Sequence, residues 1–254
     1  MSENEQMNTP EHEQAPETSA GMEAAGLVRG VAGRVIKAAG LVDLRGVPPE
    51  QVAQIESIVA AGAVLGDEGN REALGRIPIK AAGGVAIAKP GYRVVMAPNL
   101  ELTKAMLEGM PADQKIMFAG IVTFHPEVPP ALVTQKLAAV DVLGILIACQ
   151  GVHGALMGVA EVTGHLIALP DDVGAVVRNV GQNEVTRDYL ERIQDNSAYV
   201  NIGQTTIADD VPEELLDRKI TSYHNVGQTV APTPLLNLLK ARCPTNLGQF
   251  TDAE

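Results

Sequence analysis

Cys149 and His153 stand four residues apart in IACQGVH. A thiol beside an imidazole is the pairing that covalent catalysis uses, because the base removes the proton that frees a thiolate nucleophile. The plainer reading is a buried thiol with a turn histidine, since His125, His165 and His224 lie elsewhere and complete no third member of a catalytic group. Asp171 and Asp172 follow Pro170, and Asp209 and Asp210 precede Val211 and Pro212. Both pairs suit helix starts and loops better than metal coordination. GGVAIAKPG has no Gly-Lys-Ser/Thr after its glycines and so cannot cradle a phosphate as a P-loop does. No aromatic cluster is present to stack bases or sugars. The expectation is therefore no catalytic residue, no metal site and no cofactor.

A different chemistry recurs toward the C-terminus. Asn179 and Gln182, Asn201 and Gln204, Asn225 and Gln228, and Asn246 and Gln249 are four copies of Asn-apolar-Gly-Gln. A carboxamide carries both a donor and an acceptor, so identical ones stacked on successive layers can hydrogen-bond along the stack. Such a strip could bind a polar ligand or a protein partner. It could equally satisfy buried amides and turn backbone, and one residue type repeated four times serves a stack better than an asymmetric ligand.

The elements that would position this strip follow from the glycine within it. Gly40, Gly62, Gly84, Gly120, Gly144, Gly164, Gly181, Gly203, Gly227 and Gly248 each sit in a short apolar run and recur about every 22 residues, the length of one strand plus one short helix. Proline-led apolar segments follow several of the runs: VPPEQVAQIESI, VPPALVTQKLAAV, VPEELLDRKI and TPLLNLLKA. Proline fits a first helical turn, where its missing N–H has no partner to lose. The fold expected is α/β: a right-handed β/α solenoid of about ten coils with a parallel sheet and short helices. Its single domain would span 26–254, with a capping helix over 26–39 (Val28, Val31, Val35 and Ile36 inward) and an insertion over 85–119. That insertion would hold an extended piece, Tyr92 to Ala97, and a helix from about Leu100 to Gly109. Residues 1–25 read as a disordered acidic leader.

One strand and one helical segment per unit resembles the architecture of leucine-rich-repeat proteins over residues 35 to 250. The spaced leucines ending in Asn are absent, with Val, Ala and Gly in place of Leu, so the resemblance implies a solenoid and assigns no functional residue.

Before the glycine the columns change character along the chain. Ala38, Ala60, Ala82, Phe118, Val142 and Val162 give way to the four asparagines. Runs such as GILIA and GVAIA are apolar on both faces and need cover on both. A helix layer would cover one face. Either chain from the insertion or a partner subunit would cover the other, because an exposed sheet of this kind is a large apolar patch. The last coil, ending NLGQF before TDAE, would present an open strand edge. Self-association is thus expected through Ile121, Ile145, Ile147, Leu166, Leu247 and Phe250.

Charge and composition exclude other classes. The formal net charge is −12, and Glu3, Glu5, Glu11, Glu13, Glu17 and Glu23 stand in the leader with no Lys or Arg. No basic cluster offers a nucleic acid or an anionic membrane a surface. Residues 142–160 carry no charge and are long enough to span a bilayer, but Gln150 and His153 fall at mid-span and no aromatic belt flanks them. Cys149 and Cys243 read as reduced thiols of a cytoplasmic protein. The function expected is a non-enzymatic scaffold that forms homo-oligomers. The alternatives are a protein-binding module using the Asn/Gln strip or the acidic leader, and third an enzyme of unknown class.

Overall fold

All the strand pairs in the computed structural model, which describes residues 28–29, 35–38, 40–60, 62–81 and 84–253, are parallel. The expected acidic leader, residues 1–25, lies outside the described residues. Five separate sheets form three groups along the chain.

In the first group each unit has two short strands divided by a bend. Strands β1 (Val28–Arg29), β3 (Val42–Asp43), β5 (Val64–Asp67) and β7 (Val85–Ala88) form one sheet, and β2 (Val35–Ala38), β4 (Ser57–Ala60) and β6 (Ile79–Ala81) form another. Helices α1 (Pro49–Val52) and α2 (Arg71–Leu74) close the units. Ile36, Val42, Leu44, Val52, Ile58 and Leu74 fill the interior. The capping helix expected over 26–39 is corrected here: the described part of that segment is strand, with β2 paired to β4 through Ile36 and Ile58. Val35 points out and Ile36 in, the alternation of a strand.

The second group is one sheet of long strands, in the order β11 (Ala160–Leu169), β10 (Leu137–Cys149), β9 (Gln114–Phe124), β8 (Arg93–Leu102). Here the two strands of each unit have merged through the bend glycine, with Gly120, Gly144 and Gly164 in register at φ of +127°, +135° and +136°. A Cβ at Gly144 would overlap the carbonyl of Gly120, so close stacking as well as φ demands glycine. The expected insertion is corrected to a full unit of this sheet. Ala97 of β8 occupies the glycine position, opposite Gly120, and the helix that follows, α3 (Lys104–Glu108), starts later than expected, capped by Thr103. Helices α4 (Pro130–Lys136) and α5 (Gln150–Leu156) join α3 on one face, where Leu107, Val133, Val152 and Leu156 meet Phe118, Val122, Val142 and Leu146. Residues 142–160 are thus strand, a seven-residue helix and the start of β11. No helix among the described residues is long and apolar enough to cross a membrane.

The third group repeats the two-strand unit four times. Strands β12 (Ala175–Asn179), β14 (Ser197–Asn201), β16 (Ile220–Asn225) and β18 (Thr245–Asn246) form one sheet. Strands β13 (Gln182–Val185), β15 (Gln204–Ile207), β17 (Gln228–Ala231) and β19 (Gln249–Asp252) form the other. Between them run α6 (Arg187–Arg192), α7 (Glu213–Lys219) and α8 (Thr233–Ala241). The four proline-led segments all become helices, α1, α4, α7 and α8, with Pro48, Pro129, Pro212 and Pro232 at their N-caps.

The long sheet's second face is covered by the chain itself. Met117, Ala119 and Leu143 pack against Ala63 and Leu65 of the first group. Ile121, Ile145, Ile147, Cys149, Ile167 and Leu169 pack against Ala198 and Val200 of the third. One cation fastens each flank. Lys89, after β7, reaches Asp141 at 2.8 Å and Glu161 at 2.6 Å, and these carboxylates raise its pKa. Arg178 of β12 reaches Glu101, Asn99 and Thr123.

Candidate functional site

In the third group, the strand alternation turns Tyr199 and Tyr223 toward the helices and Ala198 and Val200 toward the long sheet. The asparagine two residues after each tyrosine therefore also points inward, at the bend where one strand stops and the next begins. Asn201 and Asn225 are fully buried and Asn179 nearly so, while Asn246 is exposed.

Their carboxamides form a continuous ladder. Asn179 Nδ2 donates to Asn201 Oδ1 at 3.1 Å, Asn201 Nδ2 to Asn225 Oδ1 at 3.0 Å, and Asn225 Nδ2 to Asn246 Oδ1 at 3.1 Å. The same nitrogens donate to the backbone carbonyls of Gln204, Gln228 and Gln249 at 2.8, 2.8 and 3.2 Å. Asn179 and Asn201 each reach one further oxygen, the hydroxyls of Thr205 at 2.9 Å and Thr229 at 3.3 Å. Each inner carboxamide is thus saturated within the chain, which a buried amide requires.

An aromatic row runs beside the ladder. The rings of Tyr199 and Tyr223 stack at 5.5 Å with an 11° tilt, and Phe250 continues the row at 6.1 Å from Tyr223. The phenols bond Thr205 and Thr229, and burial raises both tyrosine pKa values. The sequence contains this signal as Tyr-x-Asn-x-Gly-Gln-Thr at 199–205 and 223–229, a longer motif than the Asn-apolar-Gly-Gln core alone.

The glutamines do something else. Gln182, Gln204, Gln228 and Gln249 stand in register on β13, β15, β17 and β19 with their side chains at the surface. An open depression lined by Gln182, Asn183, Glu184, Gln204 and Thr206 lies on this face. Asn179, Asn201 and Asn225 are thus internal, and the glutamines, with Asn246 at the exposed end, are the part a partner can touch.

The residues expected to associate separate in the same way. Ile121 and Ile145 are 9% exposed and Ile147 is 0% exposed, all three beneath the chain's own third group. Their expected role in self-association is corrected: the covering partner is intramolecular. Leu166 is half-exposed on β11, and it belongs to the opposite, helix-bearing face. Leu247 is 53% exposed, and Phe250 is half-buried with Lys240 above its ring.

No hydrogen bond joins Cys149 to His153, whose Nε2 is buried without a partner. Burial, followed by the charge of Asp171, raises the Cys149 pKa, the opposite of what a thiolate nucleophile needs. Asp171 accepts the Gly151 N–H at the start of α5, and Asp210 accepts the Arg187 N–H at the start of α6. These acids cap the helix of the preceding unit, in keeping with their turn positions. Among the described residues no group of three or more His, Cys, Asp or Glu could hold a metal ion. His224 is fully buried, its Nε2 2.9 Å from Ser222 Oγ, with no partner for Nδ1. Desolvation lowers its pKa to about 4.

The architecture is therefore repeat-like and α/β, and no protein-family model, curated protein or solved structure matches the chain.

Proposed function

We propose that this chain is a non-enzymatic structural scaffold, a right-handed β/α solenoid of about ten coils, bent so that its ends cover its middle, which self-associates through the open edge formed by β18 and β19. The observation that carries the reading is the asparagine ladder. The polar column best suited to ligand recognition spends its hydrogen bonds on itself, three layers deep. Residues engaged in this way hold coils in register. In this reading Ile121, Ile145 and Ile147 take no part in association, because they lie under the third group.

A second reading, a protein-binding module, draws support from the surface glutamines and the depression they line. Replacing Gln204 and Gln228 with Ala separates the two. The scaffold reading expects folding and self-association to persist or fail together, with no partner selectively lost. The binding reading expects loss of one partner from an intact fold. Light scattering across a dilution series tests the scaffold itself: mass falling on dilution is expected, and a dilution-independent monomer would sink it.

A further inference from the structure

The third group has two outer edges, and they carry opposite hydrogen-bonding groups. Within the group every step has the same polarity. An asparagine Nδ2 donates forward to the next carboxamide and the next glutamine carbonyl. The turn backbone donates backward: the Ile202, Val226 and Leu247 N–H groups bond the carbonyls of Asn179, Asn201 and Asn225 at 2.8, 2.7 and 2.7 Å. Among the described residues, the ladder ends with Asn246 Nδ2 donating to nothing and Asn179 Oδ1 accepting from nothing. One end offers a donor and the other offers an acceptor.

The flanking surfaces agree. Val180 is 50% and Leu247 53% exposed, at the ladder's two ends, whereas Ile202 and Val226 hold the same place in the inner turns and are half-buried. Gly203, Gly227 and Gly248 each lie against the preceding glycine's carbonyl, while the equivalent space at Gly181 is open.

We infer that the edge formed by β18 and β19 binds the edge formed by β12 and β13 of a second copy, head to tail. Asn246 Nδ2 then donates to Asn179 Oδ1 and the Gln182 carbonyl, Leu247 covers Val180, and Gln249 aligns with Gln182. The inference rests on the scaffold reading and names the mate of its open edge. A two-fold pairing of tail with tail fits poorly. It would oppose one Asn246 donor to another, and it would make strands antiparallel where all the described pairs are parallel. A head-to-tail contact uses two different patches, so it propagates into a ring or a filament.

The test introduces opposite charges at two exposed positions, read by sedimentation equilibrium on the full chain. Leu247→Glu alone and Val180→Lys alone each weaken association by roughly tenfold or more, because each buries an unpaired charge at the contact. The double variant recovers most of that loss, since the carboxylate introduced on one copy meets the ammonium introduced on the next, and the recovery fades with salt. Circular dichroism checks folding, and Leu247→Ser and Val180→Ser replace any variant that misfolds. If Val180→Lys associates like the wild type, or if the double variant is no better than the singles, head-to-tail pairing is overturned while the scaffold reading stands. A wild-type chain that is monomeric at every concentration overturns both.

Discussion

Arg178 and Glu101 are 77 residues apart in sequence and meet at 2.8 Å, and the same guanidinium donates to Asn99 at 3.0 Å and Thr123 at 2.9 Å. This fork joins the third group of strands to the long sheet where their apolar faces meet. The planar guanidinium spreads its donors over two nitrogens, reaching Asn99 and Thr123 from Nη1 and Glu101 from Nη2, a span that a lysine's single ammonium nitrogen does not reproduce. Arg178→Ala leaves Thr123, which is fully buried, without its partner, and is expected to cost about 2 kcal/mol. Arg178→Lys recovers only part of that loss. Urea denaturation of the three proteins measures the difference, and hydrogen exchange along β8 and β9 localises it.

The ladder predicts a gradient of cost. Asn201→Ala removes a fully buried carboxamide bonded on both sides and should cost on the order of 3 kcal/mol, since neighbouring polar groups are left unpaired. Asn246→Ala, at the exposed end, should cost under about 1 kcal/mol. Equal losses at the two positions in chemical denaturation would mean that neither burial nor bonding on both sides sets the cost.

Two glycines give opposite expectations. A Cβ at Gly227 would overlap the backbone carbonyl of Gly203, so Gly227→Ala must separate two neighbouring units and should leave little folded protein in a circular dichroism spectrum. Gly154 lies in α5 with nothing near its Cβ position, and Gly154→Ala should stabilise by roughly 0.5–1 kcal/mol through helix propensity.

His224 sets the acid response. Burial holds its pKa at about 4, below the ordinary 6.5, so the unfolded chain takes up this proton at a higher pH than the folded chain does. The group leaves stability unchanged above pH 6.5. Between 6.5 and about 4 stability falls by up to about 1.4 kcal/mol per pH unit, and below that the loss is complete. His224→Phe should flatten this slope in melting temperatures measured from pH 7 to 4.

Much of the third group is legible in the sequence because its signal is local: Asn, Gly and Gln recur at one spacing, and the structure stacks them in register. Two expectations fail on short apolar patterns. Val28, Val31, Val35 and Ile36 satisfy a helical spacing, yet Val35–Ala38 is strand, and so brief a run cannot separate the two periods. The unit containing β8 reads as an insertion because alanine, not glycine, holds its bend at Ala97. The cover over Ile145 and Ile147 is legible as a need and not as a source. Alternation shows which face is apolar, whereas the segment that covers it is set by long-range packing. Arg178 and Lys89 have no local signature, since their partners lie on distant strands.

The bonds from Asn179, Asn201 and Asn225 to the following unit's glutamine carbonyl make the four residues from Asn to Gln a ruler. Units differ in length only outside it, on the helical side, where the chain can lengthen or shorten without moving a rung. An inserted residue should therefore be absorbed in the loops around α6 or α7. The same residue placed between Asn201 and Gln204 would shift the next strand by one and turn its buried side chains to solvent.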